Sequence, residues 1–104
     1  MTKANAVLRH VVLFAFKADA DEGVRQVEEA FCRLPQLIPQ IRSFEWGTDV
    51  SPENLQQGFT HCFLLSFASA EDRDAYLVHP HHQAFGKLAQ PYFAKVLVVD
   101  YWVQ

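Results

Sequence analysis

Three segments of this chain, Val11-Val12-Leu13-Phe14, Cys62-Phe63-Leu64-Leu65 and Val96-Leu97-Val98-Val99, are apolar at every consecutive position. Successive side chains of a β-strand point to opposite faces of its sheet. An antiparallel sheet with one face in water therefore alternates apolar and polar residues, and these segments do not. Read as strands, they carry apolar side chains on both faces, so any fold they adopt must cover the sheet twice. With 104 residues and 11.9 kDa the chain has room for one domain, residues 1–104, and for no second one.

The spacing predicts a first strand over residues 8–16 and a helix over 21–34, with Val24, Val27, Ala30, Phe31 and Leu34 on its apolar face. Pro35 and Pro39 then break the helical pattern. Residues 42–50 and 59–68 read as the second and third strands. Between them Ser51-Pro52-Glu53-Asn54-Leu55 predicts one turn of helix, with Ser51 as N-cap and Pro52 at the first position. Ser69 caps a second helix whose first turn holds Glu71 and Asp72, and this helix runs to about residue 89, interrupted at Pro80. Residues 95–103 make a fourth strand. The order βαββαβ is α+β and ferredoxin-like: a four-stranded antiparallel sheet with two helices on one face. The helices cover one side only. A second copy packed sheet to sheet covers the other, which predicts a homodimer in the form of a dimeric α+β barrel.

Charge excludes several partners. The net charge is −3 and the pI near 5.9, and the nine Lys and Arg residues are scattered, so neither a phosphate-binding surface nor a nucleic-acid partner is indicated. An RNA-recognition reading of Gly58-Phe59 fails as well, because Gln57 is not basic and His61 stands where an aromatic ring should stack. The early apolar run 11–16 is too short for a signal-peptide core or a membrane span, which implies a cytoplasmic protein with no membrane partner. Cys32 and Cys62 lack the paired spacing of a zinc ribbon or redox motif and read as packed thiols.

The residues with chemical potential cluster around Pro80. Three of the five histidines, His79, His81 and His82, lie within four positions, and Tyr76 stands one turn before His79. A phenol beside an imidazole can do acid–base work near neutral pH, because an unperturbed histidine titrates around 6.5. His79 precedes a proline, so its backbone is held extended and its ring is placed to cap the broken helix; His81 should face solvent. His10 and His61 share the side-chain parity of Val12 and Phe14 and of Phe63 and Leu65, facing one aromatic compartment. Asp100 is placed to orient an imidazole. The expectation is that His10, His61, Tyr76, His82 and Asp100 converge on one cavity between the sheet and the broken helix, suited to a small-molecule ligand. A zinc site on His79 and His82 is not supported, since no carboxylate stands at ligand spacing.

Several stretches in order resemble the stress-responsive A/B barrel (Dabb) family: Arg9-His10-Val11-Val12-Leu13-Phe14, Trp46-Gly47, Ser51-Pro52-Glu53-Asn54-Leu55, Gly58-Phe59-Thr60-His61, Glu71-Asp72-Arg73-Asp74-Ala75-Tyr76, His79-Pro80-His81-His82, Lys95-Val96 and Asp100-Tyr101. The resemblance implies the dimeric barrel. It also implies a mixed set of roles, from plant stress proteins with no assigned reaction to a plant polyketide cyclase that closes a ring by intramolecular aldol condensation. The acid–base pair of that cyclase corresponds to Tyr76 and His82, and its pocket to His10, His61, His79 and Asp100; no cofactor is required. His81 departs from the small residue common at that place. The resemblance further implies a structural Mg²⁺-like ion held on the backbone carbonyls of Pro35, Ile38 and Ile41. Three readings of function follow: a cofactor-free cyclase or lyase, a non-catalytic stress-related dimer, and, by fold analogy alone, a cofactor-independent monooxygenase.

Overall fold

A computed structural model describes residues 6–104; the first five residues of the predicted 1–104 domain lie outside the described residues. The elements are β1 (Leu8–Phe16), α1 (Asp21–Leu37), β2 (Ser43–Thr48), β3 (His61–Phe67), α2 (Ala70–Val78), α3 (Pro80–Ala89), a 3₁₀ turn (Gln90–Tyr92) and β4 (Phe93–Trp102). The strands form one antiparallel sheet in the order β2-β3-β1-β4. This is the ferredoxin-like βαββαβ arrangement, with its second helix in two pieces.

Local chemistry accounts for the helix boundaries. Ser69 accepts a hydrogen bond from the Asp72 N–H through its hydroxyl, and Glu71 and Asp72 place negative charge at the positive end of α2. The break before Pro80 follows from the pre-proline restriction: His79 takes φ −63° and ψ 139°, and Pro80 then opens α3 where its missing N–H costs nothing. His79 caps α3 as anticipated, its Nδ1 accepting from the His81 N–H at 3.2 Å, and His81 is exposed.

Two local expectations are corrected. Pro35 does not end α1, which continues to Leu37 with the proline inside its last turn; the helix stops at Ile38, one residue before Pro39. The segment 51–55 forms no helical turn. The Asp49 carboxylate accepts from both the Ser51 N–H (3.0 Å) and hydroxyl (2.6 Å), turning the chain locally, and Asn54 and Gln57 take left-handed φ values of 61° and 55° that a helix cannot contain.

Both helical layers lie on one face of the sheet, over a core built largely of rings. Phe31 of α1 stacks on Phe63 of β3 at 4.1 Å and meets Phe85 of α3 edge-on at 4.9 Å, while Phe14 of β1 stacks on Phe93 at 4.2 Å. Edge strand β4 is half-exposed at four successive positions, Val96 to Val99, at 43–49 %. Since these side chains alternate faces, β4 is apolar and uncovered on both. Among the described residues no helix is long and apolar enough to cross a membrane.

Candidate active site at the broken helix

Strand register places His10 of β1 directly opposite Asp100 of β4, on the helix-covered face. The buried His10 ring donates from Nδ1 to Asp100 Oδ1 at 2.6 Å, which leaves Nε2 with the lone pair when the ring is neutral. The second oxygen of Asp100 accepts from Arg73 Nη1 at 2.7 Å, and Arg73 Nε is held by Asp74 at 2.8 Å. The carboxylate is thus fixed between a cation and an imidazole. Arg73 was not singled out from sequence, although it stands three residues before Tyr76 and so shares its helix face.

Tyr76 lies beyond His10, its ring edge-on to the imidazole at 5.6 Å. It is 1 % exposed. Burial, and then the charge of Asp100, push its hydroxyl far above the usual phenol range, so it stays protonated and able to donate. His82, in the first turn of α3, approaches the other side of Tyr76 with ring centroids 4.5 Å apart. The kink at Pro80 makes this approach possible. His82 Nδ1 donates to the Leu77 carbonyl at 3.0 Å, an acceptor only, so Nε2 carries the lone pair of the neutral ring. Desolvation is the largest influence on His82 and lowers its pKa; the Leu77 hydrogen bond opposes it, and His10 and His79 add to it. The ring is therefore an available base at neutral pH. It opens onto a shallow cleft of about 620 Å³ lined also by Leu77, Gln83, Gly86, Lys87 and Gln90.

Of the five residues expected to converge on one cavity, His10, Asp100, Tyr76 and His82 form one continuous chain of contacts, but only His82 lines the cleft. His61 does not join them. Its register partner on β1 is Phe14, four residues from His10, or about 13 Å along the strand. The intervening space is filled by the phenylalanine layer. His61 instead bonds Glu28 of α1 (Nε2 to Oε2, 2.7 Å) and Thr60 (Nδ1 to Oγ1, 2.7 Å). Glu28 was also missed; it sits between Val27 and Phe31 on the flank of the apolar stripe, and only the fold reveals its partner.

The carbonyls of Pro35, Ile38 and Ile41 lie around the end of α1. The residue that would donate to Pro35 along the helix is Pro39, which has no N–H, whereas the Ile38 carbonyl already accepts from the Ile41 N–H at 3.2 Å. Among the described residues no group of three His, Cys, Asp or Glu side chains is placed to hold a metal.

Comparison with known proteins places the chain by family and by fold. A family profile described as "Stress responsive A/B Barrel Domain" matches residues 8–103. The stress-response A/B barrel domain-containing protein HS1 of Arabidopsis thaliana is 38 % identical over 97 % of this chain and 94 % of its own length. Olivetolic acid cyclase of Cannabis sativa is 33 % identical over 90 % of this chain and 94 % of its own. Among solved structures, the hydroxynitrile lyase of Passiflora edulis superposes with a TM-score of 0.87 at 27 % identity, covering 94 % of each chain. A dimeric ferredoxin-like protein of unknown function from Jannaschia sp. CCS1 superposes with a TM-score of 0.81 at 27 % identity, over 93 % of this chain and 99 % of that one.

Proposed function

Because the chain belongs to the stress-responsive A/B barrel family, we propose that it works as a homodimer performing cofactor-free acid–base chemistry, as a cyclase or lyase, on a small carbonyl compound of polyketide-like or aromatic type. The observation that supports this reading is the pairing of the Tyr76 and His82 rings across the Pro80 break, their centroids 4.5 Å apart, which puts a phenol and an imidazole side by side. His82 Nε2 removes a proton alpha to the carbonyl. The Tyr76 hydroxyl donates to the carbonyl oxygen as it becomes an enolate. The enolate carbon then adds to a second carbonyl of the same molecule, closing a ring, and the proton held by His82 returns to the new alkoxide. Asp100, itself held by Arg73, fixes His10 against the tyrosine ring, so the donor is aimed before substrate arrives. His79 contributes by ending α2 and starting α3.

The test is turnover of a β-polyketone by wild type and by His82→Ala, with circular dichroism of both. Activity lost in a folded variant supports the pair; equal activity removes it. A second reading, a non-catalytic stress-related dimer, has one observation in its favour, the 1 % exposure of Tyr76. Wild-type protein that binds nothing in a broad carbonyl library would establish that reading instead. The proposal includes a structural Mg²⁺-like ion on the Pro35, Ile38 and Ile41 carbonyls, supported by the unanswered Pro35 carbonyl, with no step of the reaction passing through it. Anomalous scattering from Mn²⁺-soaked crystals tests it, and density absent at that helix end removes it.

A further inference from the structure

The other histidine on the helix-covered face belongs to an arrangement that the acid–base proposal does not use. Glu28 Oε2, His61 and Thr60 Oγ1 form an unbroken carboxylate–imidazole–hydroxyl chain, with both contacts at 2.7 Å. The carboxylate accepts from Nε2–H, which leaves the Nδ1 lone pair to accept the Thr60 hydroxyl proton. The ring is locked in this orientation: Trp46 stacks on it with planes 9° apart, and Phe16 meets it edge-on at 5.0 Å. A nucleophile within hydrogen-bond reach of a base that is oriented by a third group is the geometry of an activated hydroxyl.

Thr60 is exposed and, with His61, lines a cavity of about 570 Å³ whose far wall, Leu13, Leu64 and Leu97, belongs to the open face of the sheet, where a second copy of the chain would close it. Trp46, Leu55 and Phe59 give it apolar wall, while Glu45 and Asp49 disfavour anions. Gln56 lines it too, and its side-chain oxygen is buried with no partner, an unmet polar group of the kind a ligand satisfies. The site lies at the opposite end of β1 from His10, so it is separate from the Tyr76–His82 pair.

We propose that Thr60, His61 and Glu28 form a second catalytic site, one that transfers the acyl group of neutral aryl or alkyl esters through Thr60. Thr60 Oγ1 bonds to the acyl carbon while its proton moves to His61 Nδ1. The bond to the leaving alkoxide breaks, and the alcohol departs with that proton. Water then adds to the acyl-threonine, again giving its proton to His61, and the carboxylic acid leaves as Thr60 is restored. Glu28 acts through His61 and is a positioning residue.

The experiment uses p-nitrophenyl butyrate with the full-length protein, reading p-nitrophenolate release and, after rapid acid quench, the acylated peptide by mass spectrometry. The expected result is a butyryl group on Thr60, a loss of tenfold or more in release for Thr60→Val and His61→Gln, and for Glu28→Gln a fall in kcat at unchanged KM that Glu28→Asp partly restores. Thr60 is exposed, so Thr60→Val keeps the fold, and the wild-type adduct map needs no variant at all. Acylation confined to lysines or other histidines, or release that Thr60→Val leaves unchanged, overturns the proposal.

Discussion

At the residue scale, His82 carries the acid–base proposal. Its replacement by alanine removes a half-buried polar ring rather than a core aliphatic, so the fold should persist while turnover of a β-polyketone falls by about 10²–10⁴-fold. Tyr76→Phe should cost less, because the phenol polarises the carbonyl without taking the proton. The lowered pKa of His82 fixes the sign of the pH dependence: the rate should rise with pH through a value below the ordinary 6.5 of histidine and be flat by neutrality. Stability follows the same group. Its contribution is fully present above the unfolded pKa and is lost as pH falls through the lower folded one, since the unfolded chain binds the proton more readily. A rate that instead climbs only above pH 7 would show another base at work. Arg73→Gln should lower kcat by less than His82→Ala does, with KM little changed, because it touches Asp100 and not the site of proton transfer; an unchanged kcat would make Arg73 a surface cation.

At the element scale, legibility tracks how local the determining interaction is. The limits of β1, the Ser69 cap and the Pro80 break were readable because each depends on residues within one turn or one strand. The end of α1 was misjudged because proline in a last turn forfeits only one hydrogen bond, and the burial of Leu34 and Ile38 outweighs it. The loop 49–60 was misjudged because its hydrogen bonds run backward to Asp49 rather than forward from Ser51. His10 and Asp100 had the right parity, but parity carries no position along a strand, which is why His61 was placed with them and lies some four residues away in register. Gly23 shows the same limit: nothing near it in sequence says that a methyl group there would overlap the Tyr92 ring. Alanine at a helical glycine gains about 1 kcal/mol. Overpacking costs roughly 1–3 kcal/mol, so Gly23→Ala should be destabilising on balance by up to about 2 kcal/mol in urea unfolding. A stabilised variant would mean that the Tyr92 ring swings aside freely.

At the scale of the whole molecule, one sheet face has helices over it and the other has none. The uncovered face presents Val11, Leu13 and Leu64, and β4 adds Leu97, Val99 and Tyr101, the last three each 43–49 % exposed. A contiguous apolar surface of this kind is held in water only at a cost, and a second copy removes it by pairing like with like about a two-fold axis. The dimeric relative from Jannaschia sp. CCS1 shares this fold. Wild-type protein at micromolar concentration should therefore sediment at twice 11.9 kDa. Val99→Asp combined with Tyr101→Asp tests the face directly. In a monomer both positions are already half-exposed, so carboxylates there leave the fold and its circular dichroism intact. In the dimer they are buried without partners at several kcal/mol each, against a total of about 8 kcal/mol for a micromolar association, which is enough to dissociate it. The variant should sediment at the mass of one chain. A wild-type monomer, or a native-like variant that stays dimeric, would show that this face is not where the copies meet.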